Sequence, residues 1–240
     1  MTSIKDRLRG KKVAVLAADG FEWVELSVPM KALKSAGATV EVISLHHGKV
    51  RGVNLTAPTR TVRVDRTIEE ADPHDYDALL IPGGFVNPDF LRQSSHARNF
   101  VRAFDGTSRP IATLCHGPWL LASAELVKGR ALAAWPGIRD DMVHAGATWL
   151  DEPLVRDRNW VTSRGPQDLA AFVPAMIETF ATGTTGPSDD GRERISSPQA
   201  TEPPRIAVQA ARLLPGPTMR TVAAAAAILA VGVYTWRRAG

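Results

Sequence analysis

A single cysteine, Cys115, stands among 240 residues, so no disulfide forms within the chain and no cysteine-based metal cage is available. No N-terminal stretch joins a basic region to an apolar core and a small-residue cleavage site, and the expected compartment is the cytoplasm. Histidines at metal-ligand spacing are also lacking. His46 and His47 are neighbours before Gly48, while His74, His96 and His144 have no clustered carboxylates. They read as solvated or locally hydrogen bonded, and neither metal nor cofactor is expected. Charge of one sign is scarce in the body of the chain. The net charge is +4, yet 22 basic and 21 acidic side chains precede Gly183, whereas 7 and 4 follow it. Without a basic stripe to track a phosphate backbone, nucleic acid is set aside as a partner.

Hydrophobic residues make up 44% and charged residues 22% of the chain, enough to bury a full core at this length. Lys12 to Ala17, Thr39 to Ser44, Ala78 to Ile81 and Pro110 to Leu114 are short apolar runs that fit strands buried on both faces. Val24 to Ala36 carries apolar residues at helical spacing and stops at Gly37. Ala97 to Phe104 and Ile138 to Ala145 read as further helices. Thr148 to Leu150, Val155 to Arg156 and Trp160 to Ser163 read as short strands, and Asp168 to Phe180 as a closing helix. This alternation predicts an α/β fold, a mostly parallel sheet with helices on both faces, whose ligand edge lies at the strand C-termini. Ala18 to Glu25, Gly83 to Asp89 and Cys115 to Pro118 leave that edge.

The predicted organisation is an arm over 1–10, a domain over 11–182, a flexible linker over 183–204 and an apolar C-terminal segment over 205–240. The linker is rich in Gly, Ser, Thr, Pro and charge and offers little apolar surface to offset the cost of ordering. Beyond it, Thr221 to Trp236 is uncharged between Arg220 and Arg237 and ends in interfacial aromatics. That pattern suits membrane contact and a tether. As a helix it reaches only about 24 Å of a hydrocarbon core of about 30 Å.

Chemistry concentrates at Ile111 to Pro118, where an apolar strand runs into Cys115-His-Gly-Pro and then a helix over Trp119 to Ala124. Such a turn holds a nucleophile clear of both elements, and N–H groups at a helix start favour a thiolate, so an acidic thiol is expected. Alternatively, Cys115 is a small buried hydrophobe. His116 is the natural base, although neighbours in a sharp turn usually point apart and the ring then needs an orienting partner. Glu22 and Glu25 both follow the first strand. A carboxyl beside a thiolate stays protonated and donates to sulfur, but either glutamate also suits a helix start. The N–H groups of Gly84 and His116 are the candidate oxyanion donors. Asp89 either caps its helix, pairs with Arg92, or serves the site.

Phe21-Glu-Trp-Val-Glu-Leu26, Pro82-Gly-Gly84, Pro88-Asp-Phe-Leu-Arg92, Cys115-His-Gly-Pro118, Trp135-Pro-Gly-Ile-Arg-Asp-Asp-Met142, Ala145-Gly-Ala-Thr-Trp149 and Asn159-Trp-Val-Thr-Ser-Arg164 occur in the order of one family. On these motifs the chain resembles the ThiJ/PfpI family of the class I glutamine amidotransferase-like superfamily, over about residues 10 to 181. The resemblance implies a flavodoxin-like sandwich with Cys115 as nucleophile, Glu22 as the buried acid touching it and His116 beside it. It further implies a homo-oligomer in which Asp89 of another subunit orients His116. Trp23 departs from the branch, which often carries an acidic residue there. Family members are described as intracellular cysteine peptidases, as glyoxalases or deglycases, and as stress proteins. The implied reaction is attack of Cys115 on an electrophilic carbonyl of a small aldehyde, a glycated group or a peptide. The alternative is a redox sensor or chaperone without turnover. An amidotransferase proper is disfavoured, because no late His and acid pair is present.

Overall fold

Residues 6–183 and 194–212 are described by the computed structural model. In chain order, β1 (Lys12–Leu16) and β2 (Phe21–Glu22) lead into α1 (Trp23–Ser35), followed by β3 (Thr39–Ser44). A hairpin of β4 (Lys49–Asn54) and β5 (Ala57–Arg63) precedes β6 (Arg66–Thr67) and β7 (Ala78–Ile81). Then come α2 (Val86–Gln93), α3 (Ser95–Gly106), β8 (Ile111–Leu114) and α4 (Pro118–Ser123). The remainder is β9 (Ala131–Leu132), α5 (Arg139–His144), β10 (Thr148–Trp149), β11 (Val155–Asp157), β12 (Trp160–Ser163), α6 (Leu169–Thr182) and α7 (Arg205–Arg212).

The main sheet has the order β11-β12-β8-β7-β1-β3-β6, parallel throughout except for the β11–β12 pair. Period-two alternation divides its side chains between two cores. Ala14, Leu16, Leu79, Ile81 and Ile111 face one side with Phe100, Phe104, Leu120 and Leu121. Val13, Val15, Leu80, Ala112 and Leu114 face the other with Leu26, Leu33, Phe172, Met176 and Phe180. Both faces are dry, which is why these strands read as unbroken apolar runs. Helix α6 ends at Gly183, whose φ of 80 supplies a left-handed cap.

The expected α/β sandwich is present, and two corrections accompany it. The hairpin of β4 and β5 had no counterpart in the sequence reading. It forms a small second sheet with β2, which pairs β4 in parallel through Phe21 with Gly52 and Glu22 with Val53. The predicted linker over 183–204 is fastened where it is described. Ser197 N–H donates to the Trp149 carbonyl at 2.8 Å, Trp149 N–H to Ser196 Oγ at 3.1 Å and Asp151 N–H to Ser197 Oγ at 3.0 Å. Arg139 Nε also donates to the Ser197 carbonyl at 2.8 Å. Serine supplies both backbone and hydroxyl partners here, so a segment that buries little apolar surface is still held. A first unit ends at Pro203, and the second, from Pro204, contains α7. The run over 221–236 lies outside the described residues. Among the described residues no helix is long and apolar enough to cross a membrane.

Candidate active site

β8 is buried along its length and delivers Cys115 to the C-terminal edge of the sheet. Cys115 adopts φ 58, a left-handed conformation that a side chain rarely takes and that neighbouring structure must enforce. The enforcement is visible. Cys115 N–H donates to Ser163 O at 3.1 Å, its carbonyl accepts from Trp135 N–H at 2.9 Å, and Gly117 N–H closes the turn on Leu114 O at 2.9 Å. With the backbone fixed on both sides, the thiol projects into a cavity of about 70 Å³ lined by Glu22, Glu25, Leu55, Phe85, Trp135 and Pro166, among others.

The loop after β7 completes the walls. A Cβ on Gly83 would lie 2.5 Å from Glu25 Oε2 and 2.6 Å from Cys115 Cβ, and one on Gly84 would lie 2.4 Å from Gly20 O. Two glycines are therefore what allow the backbone to reach the thiol. Gly83 N–H donates to Glu25 Oε2 at 2.8 Å. The backbone N–H groups of Gly84 and His116 act on the sulfur to favour its anion. Buried Asn87 ties the loops together. Its amide donates to Pro82 O at 2.8 Å and Gly83 O at 3.1 Å, and its oxygen accepts from Ala18 N–H at 2.6 Å.

Glu25 is wholly buried in the first turn of α1. Its Oε1 finds no nitrogen or oxygen partner, and its other side-chain interaction is with the Cys115 thiol. Burial pushes the carboxyl up to about 8, against the thiol and Gly83 contacts and with the charge of Glu22 adding to the rise. Burial, then the Glu25 charge and hydrogen bond, push the thiol up, while the N–H groups of Gly84 and His116 pull it down. The acidic thiol expected from sequence is thus opposed by enclosure. The Glu25 repulsion, however, exists only while Glu25 is ionised. With Glu25 protonated, the carboxyl becomes a donor that joins the Gly84 and His116 N–H groups in favouring the sulfur anion.

His116 Nδ1 lies 3.2 Å from Cys115 Sγ. The left-handed turn therefore brings adjacent side chains together, where the sequence reading had them apart. The imidazole sits between Trp119, tilted at 5.1 Å, and Trp135, stacked at 5.9 Å. Trp119 Nε1 in turn donates to Asp141 Oδ2 at 2.7 Å. Burial pushes His116 down to about 4, with the Asp141 charge opposing, so the ring is neutral above that pH.

The DJ-1/PfpI family model matches residues 11–179. The chain belongs to the DJ-1/PfpI family. Within it, this chain is 40% identical over 167 residues to a deglycase of Thermococcus kodakarensis, covering 70% of this chain and 98% of that protein. It is 42% identical over 164 residues to protein/nucleic acid deglycase 2 of Escherichia coli, covering 68% and 93%. A solved two-domain protein from Anabaena variabilis, with DJ-1/ThiJ/PfpI-like and ferritin-like domains, aligns with TM-score 0.67 at 34% identity, covering 76% of this chain. The chain spans about half of that protein, 52%.

In this DJ-1/PfpI protein Cys115, His116, Gly84 and Glu22 meet at one cavity, but the carboxyl on the sulfur is that of Glu25, correcting the assignment to Glu22. The physical reason is register. Helix α1 begins at Trp23, so Glu25 turns back toward the sheet edge, whereas Glu22 ends β2 and accepts from Leu55 N–H at 2.8 Å. Asp89 is exposed on α2 and accepts from Gln93 at 3.0 Å, outside the cavity of its own chain. The sequence reading assigns no site role to Leu55, Asn87, Trp119, Trp135 or Asp141, although Trp135 and Asp141 lie within the motif over Trp135–Met142 and Trp119 follows Cys115-His-Gly-Pro118. The histidines set aside pair locally and at the surface, His46 with Asp19 and His74 with Asp72, both at 2.8 Å. Among the described residues no group of three or more His, Cys, Asp or Glu is placed to hold a metal ion.

Proposed function

We propose that this chain is a cysteine hydrolase of small electrophilic carbonyls, acting on α-oxoaldehydes and on the glycated groups they leave on thiols and amines. The observation that carries the reading is a thiol placed among backbone donors and beside a carboxyl held protonated to about 8, in a cavity of about 70 Å³. So small a space at the sulfur suits a short carbonyl compound better than an extended peptide. The deglycase names of the relatives support the same class.

In the reaction the thiolate sulfur bonds to the aldehyde carbon, and the carbonyl π pair becomes an alkoxide that takes a proton from Glu25, giving a hemithioacetal. From an adduct, the amine or thiol leaves with that proton instead as the C–S bond forms. Neutral His116 removes the C–H proton beside sulfur, and the proton returns at the neighbouring carbon. The two carbons exchange oxidation level internally and yield the thioester of a 2-hydroxy acid. Water cleaves the thioester C–S bond, releasing the acid and restoring the thiol. The test is 2-hydroxy acid release from methylglyoxal and from a methylglyoxal-modified thiol peptide. Release is expected with the full chain and absent with Cys115→Ala; equal release by both sinks the reading.

The proposal extends to assembly and address. Phe85 and Phe90, 45% and 47% exposed, flank Asp89 and suit contact with a second copy that shares the site. Asp89→Ala is then expected to lower kcat by about tenfold or more, and mixing it with Cys115→Ala chains to recover activity; hybrids that form without recovery rule sharing out. A cytoplasmic enzyme tethered through 221–236 is expected to co-sediment with anionic vesicles, and a chain that stays in the supernatant removes the tether.

A further inference from the structure

The roof of the thiol cavity is made by the tip of the β4–β5 hairpin, and the residue at that tip breaks a rule of hairpin construction. Asn54 pairs with Ala57, leaving Leu55 and Thr56 as a two-residue connection. Such connections place a residue of positive φ at their first position, where glycine or asparagine is the usual occupant. Here the position is held by leucine at φ 56. A branched apolar residue gains nothing from that torsion, and an observed outlier of this kind at a pocket points to a function for its side chain. Leu55 lines the cavity that also contains Cys115, Glu25 and His116.

The tip is also fastened. β2 pairs β4 up to Glu22 opposite Val53, and the Glu22 carboxylate then reaches two residues further to accept from Leu55 N–H at 2.8 Å. Glu22 is 8% exposed, so water competes little for that bond. The cavity is also lined by Phe85, 45% exposed. Its lining thus includes an aromatic ring open to solvent and an aliphatic side chain whose backbone N–H is held by a buried carboxylate.

We propose that Leu55, latched by Glu22, sets the size of the carbonyl substrate that reaches Cys115, admitting short aliphatic α-oxoaldehydes and their adducts and turning away those with a bulky group next to the carbonyl. Leu55 is the specificity-determining residue and Glu22 its positioning residue. The inference rests on the hydrolase reading for its substrates, but the gate itself is a property of access to the sulfur.

Because Cys115 is the single cysteine, thiol alkylation of the full chain reports this cavity alone. The ratio of alkylation rates for N-phenylmaleimide and iodoacetamide measures the gate without turnover, and the ratio of kcat/KM for phenylglyoxal and methylglyoxal measures it with turnover. Leu55→Gly fits the positive φ and opens the roof; Leu55→Ala shortens the side chain at unchanged torsion and guards against an effect of the glycine itself. Both are expected to raise both bulky-to-small ratios by about tenfold or more, in line with what a few methylenes decide in a binding pocket. Glu22→Ala is expected to follow them, while Glu22→Gln, which keeps an acceptor oxygen, stays near wild type. Unchanged alkylation ratios in both Leu55 variants overturn the gate. Changed alkylation ratios with no turnover of either aldehyde by any chain support the gate and overturn the hydrolase reading instead.

Discussion

Cys115 and Glu25 are buried together: burial pushes both up, the ionised Glu25 makes the thiol harder to ionise, and the thiol contact acts the other way on Glu25. The Glu25 proton is thus the control on the thiol. Glu25→Gln retains a donor without a charge and is expected to keep iodoacetamide reactivity, whereas Glu25→Ala loses the donor and moves the alkylation midpoint to higher pH. Folding stability responds as well. Glu25 titrates near 4.5 when unfolded and about 8 when folded, so between those values the unfolded chain releases a proton that the native chain keeps, and stability falls as pH rises. His116 drops from 6.5 to about 4, so below 6.5 the unfolded chain binds a proton that the native chain refuses, and stability falls as pH drops. Thermal midpoints across this range should pass through a maximum, and Glu25→Gln should flatten its alkaline side; a wild-type alkaline limb that survives the substitution contradicts the assignment. The nucleophile was legible because a strand ending in Cys-His-Gly-Pro has few other meanings. The choice between two glutamates three residues apart was not, since it depends on whether the helix starts before or after Glu22.

The strands of the central sheet announced themselves as apolar runs because helices cover both of their faces. The β4–β5 hairpin did not. Its residues include Lys49, Arg51, Arg60 and Arg63, only Val50 and Gly52 are buried along it, and its turn lacks the expected glycine. The cavity roof was therefore invisible for the same reason that it is informative. A second hidden tie lies at the opposite end of the sheet, where Arg130, 6% exposed, joins α3 to the β11–β12 pair. Its guanidinium lies 3.1 Å from Asp105 and 3.7 Å from Asp157 and stacks 3.9 Å from the Trp160 ring centre. Arg130→Met leaves two enclosed carboxylates without a counter-charge and is expected to cost about 3–5 kcal/mol in urea unfolding. Arg130→Lys should recover only part of that, since an ammonium lacks the planar fork. A loss confined to the range of exposed ion pairs, up to about 1 kcal/mol, would show that the cluster is solvated.

At the scale of the whole molecule, the domain matched by its relatives stops near 179, while chain beyond it returns to touch the domain. That return was illegible, because Ile195-Ser-Ser-Pro198 carries no periodicity and its grip is made of hydrogen bonds. Its consequence concerns association. β10 is the outer strand of a two-stranded sheet, and the backbone N–H and carbonyl of Trp149 would face outward were they not taken by Ser196 and Ser197. Bare strand edges invite pairing with other copies. A chain cut after Gly183 should therefore self-associate with rising concentration in light scattering, and one cut after Pro203 should not; identical behaviour of the two removes this role. Solubility differences produced by trimming the extension thus report edge exposure as much as any lipid contact, and the extension guards its own domain against aggregation whatever else its far end does.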